Sequence, residues 1–323
     1  MPETCRNRGV VEFRTQAPED VREVAELWLD GAPPSQADLR AATSLAARLG
    51  SFEGVRPFSS VVQTLLEQLG RIDFDLKQVC EVIELDPALA SRILRLANSA
   101  AYRGQGPCAS VTQAVVRIGA SNLSALAMAM SAMEMFRDLG GIGRKIRDHS
   151  AGTAVIAREL AMSLRSAPLA PKVFLAGLLH DIGKLLVIQT GDKNYAELAA
   201  RELVPSSVHL KEMALWGFDH AMLGAHVLRS WHIPAPIPQL IACQHRSKSE
   251  RFKVPELARA LDLLRLADVV DWLIGQGCPA ESPWVSRLAA GPDAIRAGLS
   301  AAALPALWDG LRSIRQEALD VFA

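Results

Sequence analysis

The sequence predicts an all-α protein, and three observations lead there. The composition is 50% hydrophobic but only 5% aromatic, with abundant Ala and Leu, both strong helix formers. Apolar residues recur at helical spacing, as in Leu89, Ile93, Leu96, Ala97 and Ala100, which share one stripe. Few stretches alternate Val, Ile and Thr with polar residues as a half-buried strand would.

The elements follow in order. Residues 1 to about 16 are polar and irregular, the kind of terminus that frays. Asp20 to Asp30 carries Val21, Val24, Ala25, Trp28 and Leu29 on one helical face, and GAPPS at 31–35 reads as a linker. Val61, Val62, Leu65, Leu66 and Leu69 predict a helix over 59–69. Asp75 suits the N-cap of a helix through Glu84. Asp86 and Pro87 suit the N-cap and first turn of the next, where the missing proline N–H costs nothing. RGQGP at 103–107 ends it. Ser110 and Ser121 read as caps of two more helices, the second running through a Met-rich segment to about Arg137.

DLGGIG at 138–143 reads as a break. Helices are then expected from about Asp148 to Leu164, Pro171 to Thr190, Tyr195 to Leu203 and His220 to Ser230. The proline-rich IPAPIP loop at 233–238 precedes a helix ending near His245. A long helix runs from Pro255 to Gly275, and residues 283–322 hold two or three more. No repeat of fixed period is visible.

Composition excludes some classes. Lys+Arg and Asp+Glu are both 35, so the formal net charge is zero. With no basic stripe and no helix-turn-helix pattern, nucleic-acid binding has no support. The longest apolar run, Leu123 to Phe136, is short of the ~20 residues a membrane span needs. It reads as a buried helix, with Met128, Met130, Met133 and Met135 as core filler. The five cysteines, at 5, 80, 108, 243 and 278, show no CxxC spacing. Together with an N-terminus lacking an apolar signal block, they predict reduced thiols in a cytoplasmic protein.

One stretch breaks the apolar pattern. Residues 177–187 read GLLHDIGKLLV, with His180, Asp181 and Lys184 inside a run of Leu and Ile. Buried charge is costly unless paired or metal-bound. On a continuous helix the three residues share a side. Adjacent imidazole and carboxylate suit a borderline divalent metal, and the carboxylate could bridge two ions. Further ligands must come from other elements. His149, expected at the start of the preceding helix, and Asp268, an acid inside LLRLADVVDWL, are the candidates, with His220 and His245 at helix boundaries between them. Each residue also has a plainer reading. His180 and Asp181 could form a structural hydrogen bond. Lys184 could lay its stem over apolar surface, and His220 could cap a helix. His209, His226 and His232 read as structural or solvent-facing, and Trp231 as a core anchor between two lobes.

The H…HD…D order, with HDIGK at its centre, resembles the HD superfamily of metal-dependent phosphohydrolases. DPALASRILRLANSAAY, SVTQAVVRIGASNLSALAM, LAGLLHDIGKLLV and FDHAMLGAHVLRSWHIP, in that succession, resemble the HDOD domain, a bacterial signalling module, over roughly residues 40–250. The resemblance implies an HDOD-type helical bundle. Residues 1–35 would be an extension and linker, 36–145 an N-terminal helical lobe, 146–275 an HD-like lobe, and 276–323 a C-terminal helical extension packed on it.

The resemblance also implies ligand roles. His149, His180, Asp181 and Asp268 match the HD ligands of a divalent ion (Fe, Mn, Mg, Zn or Ni). His220 and His245 resemble ligands added in HD-GYP phosphodiesterases, and Lys184 resembles a phosphate-contacting lysine of that group. After His245 the chain reads RSKSERFKVPE, without the acid, glycine-rich turn and GYP of those enzymes. The expected function is therefore a signalling output domain that acts through a protein partner and retains a metal site. The alternative is a phosphohydrolase, in which Asp181 and Lys184 take catalytic parts and a nucleotide or phosphodiester is the ligand. No sensor segment is recognised, so input is expected in trans or through the short N-terminal helix.

Overall fold

Capping side chains set where many of the helices begin. In the computed structural model, Asp75 accepts the backbone N–H of Lys77, Asp86 accepts those of Ala88 and Leu89, and Ser110 accepts that of Gln113. Each satisfies donors that the first helical turn leaves open. The structure describes residues 35–49 and 59–322, apart from 70, 72, 74, 100, 101, 103, 105, 135, 137, 192, 202–207, 234, 247–251 and 253. The helix expected over Asp20–Asp30, most of the GAPPS segment, Met135 and most of the RSKSERFKVPE segment lie outside the described residues.

The described chain is helical with no strand. The first helices are α1 (Gln36–Leu49), α2 (Ser60–Leu69), α3 (Leu76–Glu84), α4 (Pro87–Asn98), α5 (Val111–Ile118) and α6 (Ala120–Glu134). The stripe of Leu89, Ile93, Leu96 and Ala97 is buried, as are Met128, Met130 and Met133. The following helices are α7 (Gly140–Ser163), α8 (Ala170–Leu179), α9 (Ile182–Gln189), α10 (Lys193–Arg201), α11 (Val208–Trp216), α12 (His220–Ser230), α13 (Ile237–Cys243) and α14 (Pro255–Gly275). The last three are α15 (Pro283–Ala289), α16 (Pro292–Ala297) and α17 (Ala303–Phe322).

Helix α7 is the spine of the bundle, packed against α8, α14 and α17, while α12 packs on α9 and α13. One contiguous core runs from Ala41 to Ala318 and includes Trp231. Among the described residues no single helix is long and apolar enough to cross a membrane.

Three expectations need correction. Pro171 to Thr190 is not one helix: regular structure stops at Leu179 and resumes at Ile182. Asp181, at φ −101° and ψ 10°, sits in the bridge region. DLGGIG does not hold the chain open as far as 143, because α7 already starts at Gly140. Packing of its long buried face overrides the weak glycine propensity. His149 consequently lies well inside α7 rather than at its start.

Candidate metal centre

Three helices and one interruption bring the polar residues together. His149 comes from α7, His180 and Asp181 from the break between α8 and α9, His220 from the first position of α12, and Asp268 from α14. His180, Asp181 and His220 are essentially inaccessible to solvent. One potential ligand atom from each of His149, His180 and Asp268 lies within 4.8 Å of the other two, a spacing that could hold a metal ion.

The hydrogen-bond pattern fixes which atoms face the centre. His180 Nδ1–H donates to the Gly177 carbonyl at 2.7 Å. Its Nε2 therefore carries a lone pair, and that buried atom has no hydrogen-bond partner. It points at two anions, with Asp181 Oδ1 at 3.5 Å and Asp268 Oδ1 at 3.7 Å. Asp181 Oδ1 is itself buried without a hydrogen bond. A neutral nitrogen lone pair among carboxylates is unfavourable unless a cation stands between them. The donor set, two imidazoles and two carboxylates, suits a borderline divalent ion.

Proton affinities follow from the same contacts. Burial pushes His180 down, and the nearby carboxylates do not reverse it, so the ring is neutral and able to ligate. Burial would also lower His149, but hydrogen bonds to Asp268 and Asp271 outweigh it and push it up to about 10. Burial disfavours the charged form of Asp181, yet the cationic Lys184 and His220 hold it well below the usual carboxylate range. In the metal-free protein the site thus holds its positive charge as protons on His149 and His220, the latter raised to about 9 against its burial, chiefly by Glu212.

A second group lies alongside. His220 Nε2 is 3.2 Å from Asp181 Oδ1 and 2.9 Å from His245 Nε2. Asp219 caps α12 through the Met222 N–H, so capping falls to that aspartate and not to His220. His209 is partly exposed and stacks face to face on His245 at 4.4 Å, which puts it beside the site. Lys184 is not a surface lysine: its Nζ donates to Asp181 Oδ2 at 2.7 Å, and the side chain is 14% exposed.

All seven predicted residues are therefore gathered in one region. Sequence reasoning missed their supports. Asp271 accepts from His149 Nδ1 at 2.6 Å. Glu212, fully buried, accepts from His220 Nδ1 at 2.7 Å, from the His220 backbone N–H at 2.8 Å and from Tyr195 Oη at 2.6 Å. Gln244 Nε2 donates to the His180 carbonyl at 2.9 Å, in place of the helical bond lost at the break. Asp271 had a visible signal, a second acid three residues after Asp268 in the same apolar stretch. Glu212 and Gln244 had none.

Small residues permit the approach. A Cβ on Gly183 would lie 2.7 Å from the His220 carbonyl carbon, and one on Gly177 would lie 2.8 Å from the Ala154 Cα. Backbone therefore meets backbone where α9 crosses α12 and where α8 crosses α7. Beside the centre is a cavity of about 300 Å³ whose lining includes His149, Asp181, Lys184, Lys145, Trp272 and Arg315.

The described chain is thus an all-helical bundle that gathers a His, His-Asp, Asp cluster from distant segments. The HDOD domain matches residues 55–247, more than half of the chain, and the chain belongs to that family. Its fold is similar to an HDOD domain protein of unknown function from Geobacter sulfurreducens, with TM-score 0.68 and 20% identity, over 88% of this chain and 99% of that one. It is also similar to a Shewanella amazonensis SB2B protein named "Putative phosphohydrolase", with TM-score 0.66 and 26% identity, over 87% and 98%. An uncharacterized protein of Treponema pallidum is 23% identical over 207 residues. That match takes in 63% of this chain and 40% of the Treponema protein's length.

Proposed function

We propose that the chain is a signalling protein whose HDOD domain acts by binding a protein partner and retains a divalent metal centre. His149, His180, Asp181 and Asp268 hold the ion, with His220 and His245 beside it. The observation that carries the metal centre is the unpartnered, fully buried His180 Nε2 aimed at two carboxylates. The output role is supported by family membership and by fold similarity to a Marinobacter aquaeolei protein named "Putative signal transduction protein" (TM-score 0.60, 21% identity, 93% of this chain, 68% of that one). A cytoplasmic setting belongs to the reading, supported by five scattered cysteines with no CxxC spacing.

A second reading has its own support. The cavity beside His149 and Asp181 carries Lys145 and Lys184 on its lining, a cationic setting for a phosphate ester. Under this reading an ion would supply Lewis-acid polarisation and an activated water. Lys184, steadied by Asp181, would oppose charge on a phosphoryl oxygen, and the apolar wall at Val208 and Trp272 would restrict water.

Metal analysis of the purified chain, together with a hydrolysis screen on bis(p-nitrophenyl) phosphate and nucleotides with several divalent ions, separates the two. The first reading expects a bound ion that Asp181→Ala loses, with no hydrolysis above that variant's background. Metal-dependent turnover abolished by Asp181→Ala establishes the second. A parent protein that binds no divalent ion removes the metal centre from both.

A further inference from the structure

The C-terminal helix reaches the metal centre through one side chain. Arg315, on α17, donates through Nε to Asp271 Oδ1 at 2.7 Å, and the other oxygen of Asp271 takes the His149 Nδ1 proton at 2.6 Å. Both oxygens of a carboxylate that is 1% exposed are thereby committed, one to the cation and one to the imidazole. Glycines make room at each end of the bridge. A Cβ on Gly152 would lie 2.7 Å from the Asp271 carboxylate carbon, and one on Gly275 would lie 3.2 Å from an Arg315 terminal nitrogen.

We propose that Arg315 is a positioning residue of the metal centre: it fixes the Asp271 carboxylate so that His149 keeps its proton on Nδ1 and offers Nε2 to the ion. The inference rests on the reading that the His149 cluster binds metal, and it adds a component from outside the matched family segment, which ends at residue 247. The guanidinium's hydrogen bond goes to Asp271 and not to His149, His180, Asp181 or Asp268, so its influence passes through Asp271. Hydrogen-bonded partners behind a metal-ligating histidine fix its tautomer and raise its basicity, and losing one costs roughly 10- to 100-fold in metal affinity. Arg315 stands one step further back. Without it the buried carboxylate has one oxygen free to rotate away from the imidazole. The C-terminal helix is thereby coupled to how well the centre binds its ion.

The test uses the full chain and Mn²⁺ as the probe, with affinity read by titration calorimetry and the His149 tautomer read from imidazole ¹⁵N shifts. Arg315→Met, which keeps most of the stem, is expected to weaken Mn²⁺ binding about 10-fold and to move the Nδ1 signal of His149. Arg315→Lys is expected to recover most of the affinity. Arg312→Ala, one turn earlier on α17 and bonded to the Cys278 carbonyl, is expected to bind like the parent. If Arg315→Met does not fold, Arg315→Gln takes its place: weakened Mn²⁺ binding with a displaced His149 Nδ1 signal supports the coupling, and parent-like affinity overturns it. Parent-like Mn²⁺ affinity in Arg315→Met also overturns it while leaving the metal centre standing. A parent that binds no Mn²⁺ overturns both.

Discussion

Gly183→Ala places a methyl group where the structure has no room for one. The new Cβ would lie 2.7 Å from the His220 carbonyl carbon and 3.0 Å from its Cα. Carbon atoms in comfortable contact sit at ~3.5–4.0 Å, so α9 and α12 must part by about 1 Å. The obstacle is backbone, and no rotamer change relieves it. Overpacking of this kind costs about 1–3 kcal/mol, and the rigid neighbour puts this site near the upper end. Alanine returns at most ~1 kcal/mol in helix propensity. The net loss is about 2 kcal/mol, which at ~2–4 °C per kcal/mol lowers Tm by about 4–8 °C. Gly310→Ala is the internal comparison. That glycine is exposed within α17, with nothing within 4 Å of its added Cβ, so the same chemical change should raise Tm by about 1–3 °C. Both substitutions remove one glycine from the unfolded chain, so the difference between them isolates the folded-state contact. Thermal unfolding followed by circular dichroism measures it. A Gly183→Ala Tm at or above that of Gly310→Ala would refute the close crossing of α9 and α12.

Other predictions follow from single contacts. In chelator, Tm should fall between about pH 7 and 10, because His149 and His220 have folded-state pKa values of about 10 and about 9. Their contribution is fully present below the unfolded value of ~6.5 and is lost as pH rises through the folded values. A flat Tm over that range would contradict the protonated cluster. Divalent-ion affinity should rise with pH over the same range, since ligands must shed protons to bind, and calorimetry at pH 6.5 and 8 measures the trend. Tyr195→Phe leaves Glu212 short of one donor and should lose roughly 1.5–3 kcal/mol in urea denaturation. Asp86→Ala removes the cap of α4 and should lose ~1 kcal/mol by the same assay.

Much of the helical plan was legible because its signals are local. Aspartate and serine caps fixed the starts of α3, α4 and α5, and the run from Pro255 to Gly275 was readable end to end. His180, Asp181, Lys184 and Asp268 stood out because charge inside an apolar run is conspicuous one residue at a time, whereas His149, His220 and His245 were reached through expected helix boundaries and the family resemblance. What escaped was set by distant partners. The interruption at His180 and Asp181 is invisible to apolar periodicity, which continues unbroken through Leu178, Leu179, Ile182, Leu185 and Leu186. Glycines at the start of α7 read as a stop because propensity carries no knowledge of the α8, α14 and α17 surfaces that cover that helix. Asp271 meets His149 across 122 residues of chain, a pairing that spacing cannot suggest. Glu212 looked like an ordinary helical glutamate until folding sealed it beneath Tyr195 and His220.

The amide of Gln244 occupies a post that a seamless helix would fill with its own backbone. The turn presenting His180 and Asp181 is thus braced from α13, an element that supplies none of the four HD-type donors. A drift of α13 would loosen the brace and let the turn wind back toward a regular helix, swinging imidazole and carboxylate off their mark without altering either residue. Two-residue accuracy at the heart of the bundle is therefore leased from a neighbour.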